Sequence, residues 1–336
     1  MLARCALLAC VTLAAGGPAL PQELIFFRMG TGTTGGTYFP IGGIIASAIS
    51  GPPGSPPCEL GGSCGVPGLI AVAQASSGSV ENVRNLAAGS IELGLSQSDV
   101  AFYAFTGTGV FADTGPMLSL RGIASLYVEQ VHLVVRADSD VQSIDDLAGH
   151  SVSIGEEGSG ILVASRLILD AYGLSEADIE PAYLDPEVSA DRIEAGELDA
   201  MIAVAGAPML AIADLARRVP IRLIPINGEG AQLLLQEQPF FAEAELEEGT
   251  YDGVGEVPTI GVSAVLLGVE SLDADIVYGI TKALWHPSTE ALLTNAHPRG
   301  REIRVENALN GLAVPLHPGA IRYYSEINLF GPTEPQ

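Results

Sequence analysis

The sequence predicts an α/β protein built as two lobes, and three observations carry that prediction. Short β-branched or apolar runs alternate with helix-period stretches through most of the chain. Two glycine-rich loops, far apart in sequence, each follow a strand-like run and precede a helix-like one. A strongly apolar segment, Pro258 to Gly268, comes late enough to carry the chain back to the first lobe. Alternation of strand and helix signals is the mark of α/β units with mainly parallel sheets.

The first unit opens with the apolar run Leu24-Ile25-Phe26-Phe27, which leads into Gly30-Thr31-Gly32-Thr33-Thr34-Gly35-Gly36 and then a helix over Thr37 to Ser50, with Ile41, Ile44, Ile45 and Ile49 at helical spacing. Such a loop lets backbone N–H groups converge on an anion, and the helix adds its positive dipole end. A dinucleotide reading of the Gly-x-Gly-x-x-Gly pattern requires an acid about 20 residues on. The next carboxylate after Glu23 is Glu59, and no Lys follows the glycines as in a phosphate-binding P-loop. The loop could also simply turn the chain. Leu69 to Val72 reads as a strand, Ser76 to Asn82 opens a helix that its serines could cap, and the strand Ile91 to Leu95 ends at Ser96-Gln97-Ser98-Asp99 before a third helix.

The second unit begins after Val131 to Arg136. Ser143 to Gly149 is a capped turn and Ser151 to Ile154 a strand. Gly155-Glu156-Glu157-Gly158-Ser159-Gly160 then forms the second cradle before an apolar helix, Ile161 to Tyr172. The strand Leu198 to Val204, the loop Ala205-Gly206-Ala207-Pro208, a helix through Leu215 and the strand Ile221 to Ile226 follow. In open α/β sheets ligands bind at the carboxyl ends of strands, where this chain places hydroxyl and amide groups. Two such lobes joined by two crossings describe a periplasmic-type binding protein with a small ligand between the lobes. The expected bounds are a leader at residues 1–19, lobe I over 20–135, lobe II over 136–256 and the return to lobe I over 257–336.

Composition narrows the partners. Arg4, the apolar run Ala6 to Ala15 and the small residues that follow have the order of a secretory leader, with cleavage expected near Ala19 and export to the periplasm. Cleavage would remove Cys5 and Cys10. Cys58 and Cys64, in a Pro- and Gly-rich segment, would then pair in a local disulfide. A net charge of −25 excludes nucleic acid and basic membrane-surface binding as natural roles. The acids between Glu237 and Glu256 read as a solvated surface. No nucleophile elbow or paired-His motif is present, so no catalysis, metal or cofactor is expected.

The ordered motifs Gly30 to Gly42, Gly78-Ser79-Val80-Glu81-Asn82, Gln97-Ser98-Asp99, Asp146-Leu147-Ala148-Gly149, Gly158-Ser159-Gly160, Gly206-Ala207-Pro208 and Pro315 to Ala320 resemble the TAXI family, the solute receptors of tripartite ATP-independent periplasmic (TRAP) transporters. The resemblance implies a type II periplasmic-binding-protein fold. It also implies a monomer that carries a small carboxylate, such as a glutamate-like amino acid, a dicarboxylate or an oxoacid, to TRAP membrane permease subunits. A periplasmic sensing subunit of the same fold is the alternative. On this basis Thr33, Thr34 and Gly35 are expected to hold a carboxylate, and Tyr38 to pack against the ligand, donate its hydroxyl or serve the core. Ser79 and Asn82 would donate or cap. Gln97 and Ser98 would donate, with Asp99 as a helix cap. Ser159 and Gly160 would close from the other lobe, and Gly206 and Pro208 would line the cleft or shape a turn. Arg84 is expected on a helix surface. The chain departs from the family at Glu157 and Ile161, where a Pro and a Thr are expected. The change removes a hydroxyl donor, and Glu157 either opposes an anion or faces solvent.

Overall fold

A computed structural model describes residues 24–331. The expected leader, with Cys5, Cys10 and Ala19, lies outside the described residues. Among the described residues no helix is long and apolar enough to cross a membrane.

The first lobe runs β1 (Ile25–Gly30), α1 (Tyr38–Ile49), the short pair β2 (Ser50–Gly51) and β3 (Val66–Pro67), β4 (Leu69–Gln74), α2 (Ser79–Ala87), β5 (Leu93–Gln97) and α3 (Ser98–Thr106). The long strand β6 (Leu120–Arg136) crosses to the second lobe. That lobe holds β7 (Ser151–Ser153), α4 (Gly160–Ala171), β8 (Glu180–Ala182), α5 (Pro186–Ala195), β9 (Ala200–Ala205), α6 (Leu210–Arg218), β10 (Ile221–Leu223), α7 (Gly228–Glu237) and β11 (Phe241–Leu246). The strand β12 (Val257–Val269) returns, followed by α8 (Ala274–Leu284), α9 (Pro287–Ala296) and α10 (Pro318–Glu326).

The strands form one ten-stranded sheet in the order β4-β1-β5-β12-β6-β9-β7-β8, with β10 beside β6 and β11 beside β12. Its two ends are parallel, as expected: β1 pairs with β4 and β5, and β7 with β8 and β9. Its centre is antiparallel, because β6 carries the chain across and β12 brings it back. Helices cover both faces. In the first lobe Met29, Ile41, Ile45 and Leu266 fill one side of the sheet, and Val83, Val100 and Leu267 the other. In the second lobe Ile154, Ile168 and Ile202 oppose Ile193, Met201 and Ile212. A strand buried on both faces reads as a continuous apolar run, and β9 (AMIAVA) is buried at every position.

Several elements depart from the sequence reading. The Ser76–Asn82 stretch does not cap α2 through a serine side chain; Gly78 is the N-cap, at φ 121°. The elements α5, α7 and β11 fall where no helix or strand was expected. Pro186 opens α5, the Asp185 carboxylate accepts from the amides of Glu187 and Val188, and Gly196 ends the helix at φ 71°. The acidic stretch contains the strand β11, whose Glu243 and Glu245 face solvent while Phe241 and Leu246 are buried. Charges along such a strand discourage pairing with a second chain. His286, His297 and His317, each before a proline, cap the helical turns that follow: each Nδ1 accepts an N–H from two residues on.

Cys58 and Cys64 are bonded to each other. His286 Nε2 lies 3.6 Å from Cys58 Sγ, a neighbour no local pattern could supply. Closing so short a loop stabilises by about 2 kcal/mol in the chain-entropy account. The double replacement Cys58→Ser, Cys64→Ser is therefore expected to lower the melting temperature by about 5 °C, measured by calorimetry, and to leave the geometry of the cleft intact.

Candidate functional site

The two lobes meet over one internal cavity. Gly32, Thr33, Gly36, Thr37, Tyr38, Ser77, Gly78, Ser79 and Gln97 line it from the first lobe. Ser159, Gly160, Ile161, Pro186, Val204, Ala205 and Met209 line it from the second, and Glu129 lines it from the crossing strand β6. The centre of a water-sized sphere can move through about 50 Å³ of this space. One buried water needs roughly 10–15 Å³ by that measure. The space is narrow and suits a compact solute.

Three helices begin on this wall. The first turns of α1 at Tyr38, α2 at Ser79 and α4 at Gly160 all contribute lining residues. Helix N-termini carry amides without intrahelical partners and a partial positive charge. The amides of Tyr38, Gly160 and Ile161 make no hydrogen bond to other described residues. The Ser79 hydroxyl accepts from the backbone N–H of Gln97 at 3.0 Å. No Lys or Arg is among the lining residues.

Thr33, Tyr38, Ser79, Gln97, Ser159 and Gly160, all expected at the site, do line the cavity. The others serve different contacts. Asn82 is fully buried behind the wall: its Nδ2 donates to Thr31 O at 2.6 Å and Leu95 O at 2.8 Å, and its Oδ1 accepts from Ser76. Thr34 donates to Glu187 at 3.1 Å, Gly35 O accepts from the Ala211 amide at 3.2 Å, and Gly206 O accepts from Thr37 at 2.6 Å. These three latch one lobe to the other. Pro208 follows a cis peptide bond in the loop, and Ser98 is buried with an unpartnered hydroxyl. The Ser159 hydroxyl caps α4, donating to Glu156 O and accepting from Leu162 N, so this position faces the cavity with its hydroxyl already engaged. Asp99 does not cap α3; its carboxylate is fully buried with no hydrogen-bond partner. Glu157 is exposed, Ile161 stands on the wall, and Arg84 is exposed beside the ring of Phe111.

Replacing Asn82 takes the side-chain donor from the buried Leu95 O, a loss of about 1–3 kcal/mol, and empties the buried space of the amide, while Thr31 O keeps Ser76 Oγ at 3.1 Å. Asn82→Ala is expected to lower the melting temperature of the empty protein by about 5 °C or more. Thr34→Ala, which removes an exposed hydroxyl contact, should change it far less, a contrast that thermal scans of the two variants will check.

Glu129 is the residue that the sequence reading missed. It is 2% exposed, and Tyr38 donates to its Oε2 at 2.6 Å. Burial pushes its carboxyl up to about 8, and the nearby Asp99 adds to the shift. Burial likewise pushes Asp99 up to about 7 and holds the Tyr38 phenol well above its ordinary value. At neutral pH Glu129 is thus largely an uncharged acid. The available signal was the single acidic residue of a long, mainly apolar strand, β6.

Two α/β lobes, joined by two crossing strands, face one another across a cleft lined by residues of both. The chain belongs to the NMT1-like family, which it matches over residues 29–327. Solved structures resemble it at low identity. The periplasmic aliphatic sulphonate binding protein SsuA of Escherichia coli shares 15% identity at a TM-score of 0.43, over 90% of this chain and 78% of that one. The alkanesulfonate-binding protein SsuA of Xanthomonas axonopodis pv. citri, bound to MOPS, shares 17% at 0.45, over 90% and 84%. An ancestral arginine-binding protein bound to arginine shares 12% at 0.47, over 83% and 96%.

Proposed function

We propose that this protein is an exported solute receptor of the TAXI kind, which encloses a small carboxylate between its lobes and delivers it to an ion-driven TRAP permease without catalysis. The observation that carries the reading is the meeting of three helix N-termini, drawn from both lobes, on one interlobe cleft with amides left free. The motif resemblance supplies the transporter class and the ligand range: a glutamate-like amino acid, a dicarboxylate or an oxoacid. A micromolar receptor needs about −8 kcal/mol, and one helix dipole supplies at most about 2 kcal/mol. Several donors and lobe closure must therefore act together. The interlobe latches at Thr34, Gly35 and Thr37 supply closure, and a closed surface distinct from the open one gives a permease something to recognise.

A thermal-shift screen of the mature protein, refolded free of carried-over ligand, tests the reading. Amino acids, dicarboxylates and oxoacids are the panel. A ligand at a hundred times its dissociation constant stabilises the native state by about 2.7 kcal/mol, so a carboxylate should raise the melting temperature by several degrees. No rise with any member, from folded protein, would overturn it.

A further inference from the structure

We propose that the cavity contains an acceptor subsite, formed by Glu129 and the side-chain carbonyl of Gln97, that takes a cationic hydrogen-bond donor carried by the solute, an ammonium group being the simplest. This inference rests on the receptor reading above and assigns the part of the wall beside the first turns of α1, α2 and α4, where Glu129 meets Tyr38 and Gln97 lies against Ser79 and Gly160.

A protonated carboxyl offers an anion one O–H donor and a carboxylate repels it, whereas a cation is favoured by the carboxylate, and Glu129 stands on this wall with no basic lining residue to offset its charge. Tyr38 engages one of its oxygens, Oε2, and no hydrogen bond from the described residues engages the other. Gln97 Oε1 is a second, independent sign. It is buried without a hydrogen-bond partner, on a residue that is 2% exposed and lines the same cavity. A buried acceptor left unpaired is costly. A donor arriving with the solute satisfies Gln97 and Glu129 together.

The groups facing Glu129 are Tyr38 from α1 and Asp99 from α3, with Tyr127 two residues back on its own strand. Tyr127 in turn senses Arg299 and Glu302, which pair with each other on the far side. The cation of Arg299 is engaged by Glu302 and by Ala207 O. In the empty protein the carboxyl keeps its proton. An incoming ammonium favours the carboxylate, so Glu129 gives up that proton to solvent as the solute binds. A solute without a cationic group would leave the proton in place.

Titration calorimetry with matched pairs tests this. Each amino acid is compared with its own 2-oxo acid at pH 7, in two buffers of different ionisation enthalpy. The expected result is at least tenfold tighter binding of the amino member with release of close to one proton. Glu129→Gln should weaken the amino member at least thirtyfold more than it weakens the 2-oxo acid, and abolish proton release. Gln97→Met, which removes the second acceptor at similar size, should weaken the amino member tenfold, and it serves if Glu129→Gln does not fold. Equal or tighter binding of the 2-oxo acid by the unaltered protein would overturn the inference while leaving the receptor reading intact. So would binding of the amino member with no proton released. Binding of neither member of any pair would overturn both.

Discussion

Gly160→Ala is expected to weaken solute binding by a hundredfold or more, about 2.7 kcal/mol, while the empty protein melts as before. A Cβ at this position would sit within contact distance of Gln97 Oε1, 2.6 Å from Gln97 Cδ and 2.7 Å from Ser79 Oγ. Gly160 belongs to the second lobe and both neighbours to the first, so the added methyl acts as a wedge between the lobes. Alanine is a better helix former than glycine, and α4 alone has no reason to suffer. Calorimetric titration reads the affinity. Small-angle scattering reads the wedge: the variant should keep the larger radius of gyration of an open form even with solute present. Unchanged affinity would show that the lobes need not approach this closely around the ligand.

The second large effect concerns pH. Asp99 and Glu129 both have folded-state pKa values above those of the unfolded chain, at about 7 and about 8. Between the unfolded and folded values the native state holds more protons than the unfolded one, so stability falls as pH rises. Each proton held by the native state alone contributes a slope of about 1.4 kcal/mol per pH unit. From pH 6.5 to 8 the two groups together should therefore remove roughly 2 to 3 kcal/mol. His132 has the opposite sign. Burial lowers it to about 4, and its contribution is lost as pH falls below the unfolded value of 6.5. Over pH 6.5 to 8 the acids dominate, opposed near pH 6.5 by His132, His297 and His317, all lowered by burial. The empty protein should lose about 2 to 3 °C of melting temperature across that range, and the pair Asp99→Asn, Glu129→Gln should abolish that loss. A melting temperature that rises with pH in the unaltered protein would contradict this account.

Much of the fold was legible because its signals are local. Gly30 to Tyr38 and Gly158 to Gly160 placed two helix starts correctly, since a glycine loop between a strand and a helix has few other uses. The late apolar run was read as a returning strand from its length and position, and β12 is that strand. The site was legible only in part. Tyr38 and Glu129 lie 91 residues apart, and their meeting depends on where the crossing strand sits relative to α1. Thr34, Gly35 and Gly206 carry the residue types of ligand donors, but the orientation of the lobes turns them into latches, and no local pattern encodes that orientation. The serines before α2 fit a capping pattern, but Gly78 adopts a backbone conformation that places the turn elsewhere. The strand β11 was hidden because its outward face is acidic, and α5 was overlooked although Asp185, Pro186 and Gly196 mark both its ends.

The position of β12 also bears on how the chain folds. It lies in the middle of the sheet, bonded to β5 on one side and to β6 on the other, yet it is made after the whole of the second lobe. The N-terminal region therefore lacks its central strand until residues 257–269 have emerged. Contacts of such long sequence separation form slowly, and a fragment ending at Arg136 should remain without cooperative structure. Folding of the first lobe is a late event, gated by synthesis of the segment that closes it.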